Sequence, residues 1–250
     1  HFEMILPKMT ALTELHMMGL SGYGNISGVL AALPTQLEVL NLFQNRLVIS
    51  PFCEALSRMT ALRKLNLSDC YLKDDGLVLL TPCLANCHAL TSLCMNFNCL
   101  ASAVAVSALV RGLTQLQLLH LGFCHLEDHH VAELVRSLYH HHHLTSLSLL
   151  HNILADESGR ALAGWPQLLC LEEVGLDKPD HTAKYDTSVV EEALQQSLCF
   201  RRILTTPSNE VPLQKATREA CHRNTVRHAT LLSICVDPER LSGSILVCRK

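Results

Sequence analysis

Aromatic side chains are scarce in this chain, at 4% of its 250 residues, with a single tryptophan. A core wrapped around large rings is therefore excluded, and aliphatic residues must fill the interior by stacking on one another. Charge of one sign is missing too: 20 Lys and Arg stand against 23 Asp and Glu, for a net charge of −3. No basic face large enough to follow a phosphate backbone comes from that balance, so direct contact with nucleic acid is not expected. Apolar runs are interrupted well before the roughly 20 residues a membrane-spanning helix needs, and no membrane association is expected. Catalytic signatures are absent as well. The sequence has no G-x-x-x-x-G-K-[ST], no G-x-S-x-G and no H-E-x-x-H. The adjacent acids Asp74 and Asp75, or Glu172 and Glu173, point apart on a helix or strand and make no acid/base pair. A non-enzyme without a cofactor is expected.

What is present is a period. An eleven-residue phrase recurs, clearest as LQLLHLGFCHL (Leu116 to Leu126) and LTSLSLLHNIL (Leu144 to Leu154). Its starts fall at Leu12, Leu37, Leu62, Leu90, Leu116, Leu144 and Leu171, spaced by 25 to 28 residues. Such a period outranks length as a guide to domain count, because stacked repeats share one continuous core. Within the phrase, leucine alternates with other residues as in a strand. The ninth position holds Asn45, Cys70, Asn98, Cys124 and Asn152 in turn, a side chain suited to bonding turn backbone that no strand can reach. Cys70 and Cys124 are expected to be buried in that ladder. Two residues past the phrase stand Asp74, Ser102, Asp128 and Asp156, each a good helix N-cap. Leu77, Leu80 and Leu84, then Val106, Leu109 and Leu113, then Val131, Leu134 and Leu138, follow at helical spacing. The fold class is thus α/β: a solenoid with parallel strands on its concave face and helices on its convex face. The two early 25-residue repeats leave room for helices of about two turns.

Such a phrase is that of a leucine-rich repeat. The repeat length near 28, the full helices and the Asn/Cys alternation resemble the ribonuclease-inhibitor-like class, over about Leu12 to Leu176. The resemblance implies a horseshoe; it does not imply one activity, since members share a scaffold and little else. Residues 1–178 are expected to hold about seven repeats. Residues 179–210 read as a loop plus a degenerate terminal repeat, with one more strand in CFRRILTT. Residues 211–250 read as a helical C-terminal cap or a partner-binding tail, with helices over Val211 to Cys235. The opening HFEMILPKMTAL reads as the end of a helix leading into a strand, and a start at His1 suits a fragment of a longer protein.

Function should be written in the phrase positions that the leucines leave free. Three of six phenylalanines, Phe43, Phe97 and Phe123, fall there. With Leu118, Leu150, His120 and His151 they make a candidate partner-binding strip, more apolar than a bare surface. A protein partner on the concave strands is expected, with the chain as a subunit of a larger complex. A regulatory module like the Ran-type GTPase-activating proteins is the alternative, presenting Gln44 or Asn96 to a partner's nucleotide. The sensor array of a NOD-like receptor is another, and requires a nucleotide-binding domain upstream. Twelve cysteines at repeat positions, with no signal peptide, suit a reducing intracellular compartment, the cytoplasm. Fifteen histidines include the runs His129–His130 and His140–His143. The second run reads as a solvated turn. Cys83, Cys87 and His88 lack a fourth ligand and read as a buried helix end, so no metal site is expected.

Overall fold

The computed structural model describes residues 2–20, 26–165, 173–175, 202–204 and 243–248. Leucine alternation produces the strands β1 (Leu12–Met18), β2 (Val39–Asn41), β3 (Lys64–Asn66), β4 (Ser92–Cys94), β5 (Leu118–His120) and β6 (Ser146–Ser148), followed by β7 (Glu173–Gly175), β8 (Arg202–Leu204) and β9 (Gly243–Cys248). All belong to one sheet in the order β8-β7-β6-β5-β4-β3-β2-β1-β9. Every described pairing is parallel, and Leu15, Leu40, Leu65, Leu93, Leu119 and Leu147 stand in register, one per strand. Because side chains alternate across a strand, that column points to one side, where each of these leucines is at most 1% exposed. Leu119 and Leu147 therefore sit inside, as the alternation requires.

Between strands run α2 (Ser27–Ala31), α3 (Ile49–Leu56), α4 (Asp74–Leu84), α5 (Ala103–Arg111), α6 (Asp128–Ser137) and α7 (Asp156–Ala163), with α1 (Phe2–Ile5) ahead of β1. The two 25-residue repeats carry helices of 5 residues (α2) and 8 residues (α3), against 11 in α4, 9 in α5 and 10 in α6; α7 has 8 as well. Their apolar stripes close the core against the leucine column, as Leu77, Leu80, Leu84, Val106, Leu109, Val131 and Leu134 show by their burial. None of the helices among the described residues is long and apolar enough to cross a membrane.

The ninth positions work as a two-residue code. Asn98 accepts from Cys70 N–H (3.1 Å) and Leu72 N–H (3.0 Å) of the preceding repeat, and its amide donates to the carbonyls of Leu67, Met95 and Asn96. Asn152 does the same toward Cys124 and Leu126. The cysteines only donate: Cys70 Sγ to the Leu42 carbonyl at 3.2 Å, Cys124 Sγ to that of Met95 at 3.1 Å. Burial pushes both thiols up to about 12, so they remain protonated donors. The turns differ accordingly. Tyr71 and His125, the residues after the two cysteines, have left-handed backbone (φ 58° each), and those after the asparagines do not.

Three expectations need correction or lie out of reach. Of the proposed N-caps only Ser102 caps its own helix, accepting from Ala105 N–H. Asp74 and Asp128 are first helical residues that reach into the next repeat, Asp74 to Ser102 N–H (2.9 Å) and Asp128 to Ala155 N–H (2.8 Å) and Ser158. Asp156 likewise opens α7 after the N-cap Ala155. The helices expected over Val211 to Cys235 and the loop beginning at 179 fall outside the described residues. Near the end of the chain, β9 pairs in parallel with β1, while β8 extends the other edge beyond β7.

Candidate functional site

The eighth phrase position is where each described strand from β1 to β6 hands over to its turn. Gly19, Gln44, Asp69, Phe97, Phe123 and His151 occupy it, all with positive φ, between 53° and 68°. Except at Gly19, left-handed backbone costs a residue on the order of 1–3 kcal/mol. Two interactions hold it in place. The turn prolongs the sheet, since Phe97 N–H donates to the Gly122 carbonyl (2.9 Å) and Phe123 N–H to that of Leu150 (2.8 Å). The rings also stack: Phe97 on Phe123 with centroids 4.3 Å apart and planes 14° from parallel, and Phe123 on His151 at 4.0 Å and 21°. Parallel strands lie roughly 4.8 Å apart, so flat side chains in one backbone conformation overlie at nearly ring thickness. Each such pair is worth about 0.5–1.5 kcal/mol beyond its buried area.

The structure brings together most of the strip expected from sequence. Phe97, Phe123 and His151 form the three-ring ladder. Leu118 and His120 sit at the two ends of β5, and Leu150 precedes the ladder's last ring; all six are half-buried. Phe43 is not part of it. That ring lies two repeats earlier, with Ser68 and Asp69 at the corresponding positions of the repeat between. Asn96 is buried, its Oδ1 accepting from Gly122 N–H at 2.7 Å, whereas Gln44 is exposed. Toward β6 the concave surface changes: Ser146 and Ser148 are buried, while Ser92 and Cys94 on β4 are only partly so.

Cys94 Sγ lies 3.7 Å from His120 Nδ1. A thiol–imidazole pair invites a nucleophilic reading, yet burial pushes the Cys94 thiol up to about 11, which leaves it almost wholly protonated at neutral pH. Among the described residues no group of three or more His, Cys, Asp or Glu is arranged to hold a metal ion.

The run His140–His143 is not a solvated turn throughout. His141 is 1% exposed, and its Nε2–H donates to the Val110 carbonyl at 3.0 Å, while His140, His142 and His143 are exposed. Burial lowers the His141 pKa from the ordinary 6.5. His130 is buried likewise: its Nδ1 accepts from Glu127 N–H (3.1 Å), which leaves Nε2–H to donate to the Ala101 carbonyl (2.9 Å). One histidine of each run thus ties its repeat to the previous one. Sequence offered no signal for which histidine turns inward. For the ladder it did: planar side chains recur at the same phrase position in three consecutive repeats.

No protein-family model matches the chain, and no curated protein does. Solved structures do. The internalin inlF of Listeria monocytogenes aligns over 74% of this chain with 24% identity and a TM-score of 0.50. The fold is that of a leucine-rich repeat protein. The internalin C2 of the same organism aligns over 72% of the chain at 21% identity and a TM-score of 0.47, covering 75% of its own length. This leucine-rich repeat chain spans 45% of the length of inlF.

Proposed function

We propose that this leucine-rich repeat array is a non-catalytic recognition or scaffold module that binds a protein partner through its concave strands and the aromatic ladder beside them. The ladder carries the reading. Phe97, Phe123 and His151 are half-buried rings held in strained backbone at the strand ends, continuous with Leu118, His120 and Leu150. Flat apolar groups fixed in advance lose little entropy on contact and make efficient anchors. A strip about three strands wide on an open curved sheet suits a protein surface better than a small molecule, which needs walls on most sides.

The Asn/Cys alternation supports placing the array in the ribonuclease-inhibitor-like class. Cys70 and Cys124 act in the ladder as S–H donors, which supports a reducing, cytoplasmic setting. The commitment of Asn96 to Gly122 weighs against the GTPase-activating alternative, leaving exposed Gln44 as its candidate. The pairing of β9 with β1 supports a role for Gly243–Cys248 in covering the first edge of the sheet, not the last repeat that a C-terminal cap would shield. The test is affinity purification of the intact protein from its own cells, side by side with Phe97→Ser/Phe123→Ser and Phe43→Ser. Loss of the same partners with the double substitution and their retention with Phe43→Ser is the expected result. Equal recovery from all three would overturn the reading.

A further inference from the structure

Cysteines gather on the convex side where α3 meets α4. Cys53 Sγ and Cys83 Sγ both donate to a single carbonyl, that of Leu79, at 3.4 Å and 3.3 Å. Cys87, in the turn after α4, is 2% exposed and donates instead to the Leu56 carbonyl at 3.7 Å. Cys53 and Cys83 are half-buried, open enough for a small reagent. Sharing one acceptor oxygen, at 3.4 Å and 3.3 Å, brings the two sulfurs within reach of each other, the first requirement for a bond between them. They come from neighbouring repeats, so a bond between them would cross from one helix to the next.

We propose that Cys53 and Cys83 are a redox-sensitive thiol pair that a small-molecule disulfide such as glutathione disulfide converts to an intramolecular bond, fastening α3 to α4. One cysteine, as thiolate, attacks a sulfur of the reagent; a mixed disulfide forms and one reagent thiol leaves. The other cysteine then attacks the protein-side sulfur of that mixed disulfide, the protein bond forms, and the second reagent thiol leaves. The protein gives up two electrons and two protons, and the reagent disulfide is reduced to two thiols. Burial, and then Cys83, push the Cys53 thiol up, so the exchange is slow near neutrality and quickens as pH rises. The bond closes a loop across one repeat on the side away from the strands, so its effect falls on inter-helix movement and leaves the aromatic ladder in place.

The intact chain is incubated with glutathione disulfide at pH 8 under native conditions, digested and read by mass spectrometry, with melting followed in parallel. The expected product is a cross-linked peptide pair whose fragment ions join Cys53 to Cys83. A higher melting temperature should accompany it and be reversed by dithiothreitol. Exposed Cys99 should carry only a glutathione adduct. Cys53→Ser and Cys83→Ser should each lose both the cross-link and the thermal gain. Separate glutathione adducts on Cys53 and Cys83, a Cys83 to Cys87 bond, or persistent free thiols while Cys99 is modified would each overturn the proposal.

Discussion

At the scale of single residues, the ninth positions carry more than any other polar groups in the stack. Removing the Asn98 side chain strands two buried N–H groups, of Cys70 and Leu72, and the Leu67 carbonyl, while the Met95 carbonyl keeps Cys124 Sγ and the Asn96 carbonyl keeps Asp69 N–H. A buried unsatisfied group costs about 1–3 kcal/mol, so Asn98→Ala should destabilise by at least about 3 kcal/mol in chemical denaturation. Cys124→Ser keeps a donor for the Met95 carbonyl and should cost about 1 kcal/mol or less. The reverse ranking would mean that the asparagine ladder is not what joins the turns. His141 adds a pH dependence. Its folded pKa lies below the unfolded 6.5, so the unfolded chain takes up the proton first as pH falls. Its contribution is complete above about pH 6.5 and is lost as pH drops from there through the folded value. The melting temperature should fall between pH 7.5 and 5.5, and His141→Gln, which retains an N–H donor but does not titrate, should flatten part of that fall. An unchanged slope would show that this ring's proton is not linked to folding. The Asn and Cys roles were legible because each fills a fixed place in the phrase. The inward turn of His141 and His130 was not, because an imidazole in a polar run looks the same whether it faces water or a neighbour's carbonyl.

At the scale of elements, strand and helix boundaries follow from the phrase, and the leucine column tests the register. Leu119→Ala or Leu147→Ala should each cost about 2–5 kcal/mol, the range for emptying a well-packed site. Helix capping was only partly legible. Asp74 and Asp128 stand where an N-cap is expected, but their carboxylates serve the repeat that follows, and local sequence contains no trace of a bond made 27 to 30 residues away. Asp128→Ala should therefore loosen the start of α7 by about 1–2 kcal/mol, with faster amide exchange at Ala155 and Ser158 and not within the first turn of α6. Protection lost in α6 instead would assign the carboxylate to its own helix.

At the scale of the whole molecule, the period made the architecture readable: residues 25 to 28 apart fall into register across β1 to β7, and the core is one uninterrupted column. The partner is another matter, because the stack leaves the strand-end and concave positions free to vary. Sequence grouped seven candidate residues. Folding joins Phe97, Phe123 and His151 into one object and leaves Phe43 outside, a division set by phrase position and by which repeats are adjacent, since Phe43 stands at the seventh position of a repeat two earlier. The most direct measurement is a titration of the purified full chain with its recovered partner, comparing the wild type with Phe97→Ser/Phe123→Ser while circular dichroism and melting report the fold. Removal of two anchoring rings should weaken binding by at least roughly 30-fold, equivalent to about 2 kcal/mol, with the folded spectrum retained. An unchanged Kd for a folded double variant would contradict a recognition role for the ladder.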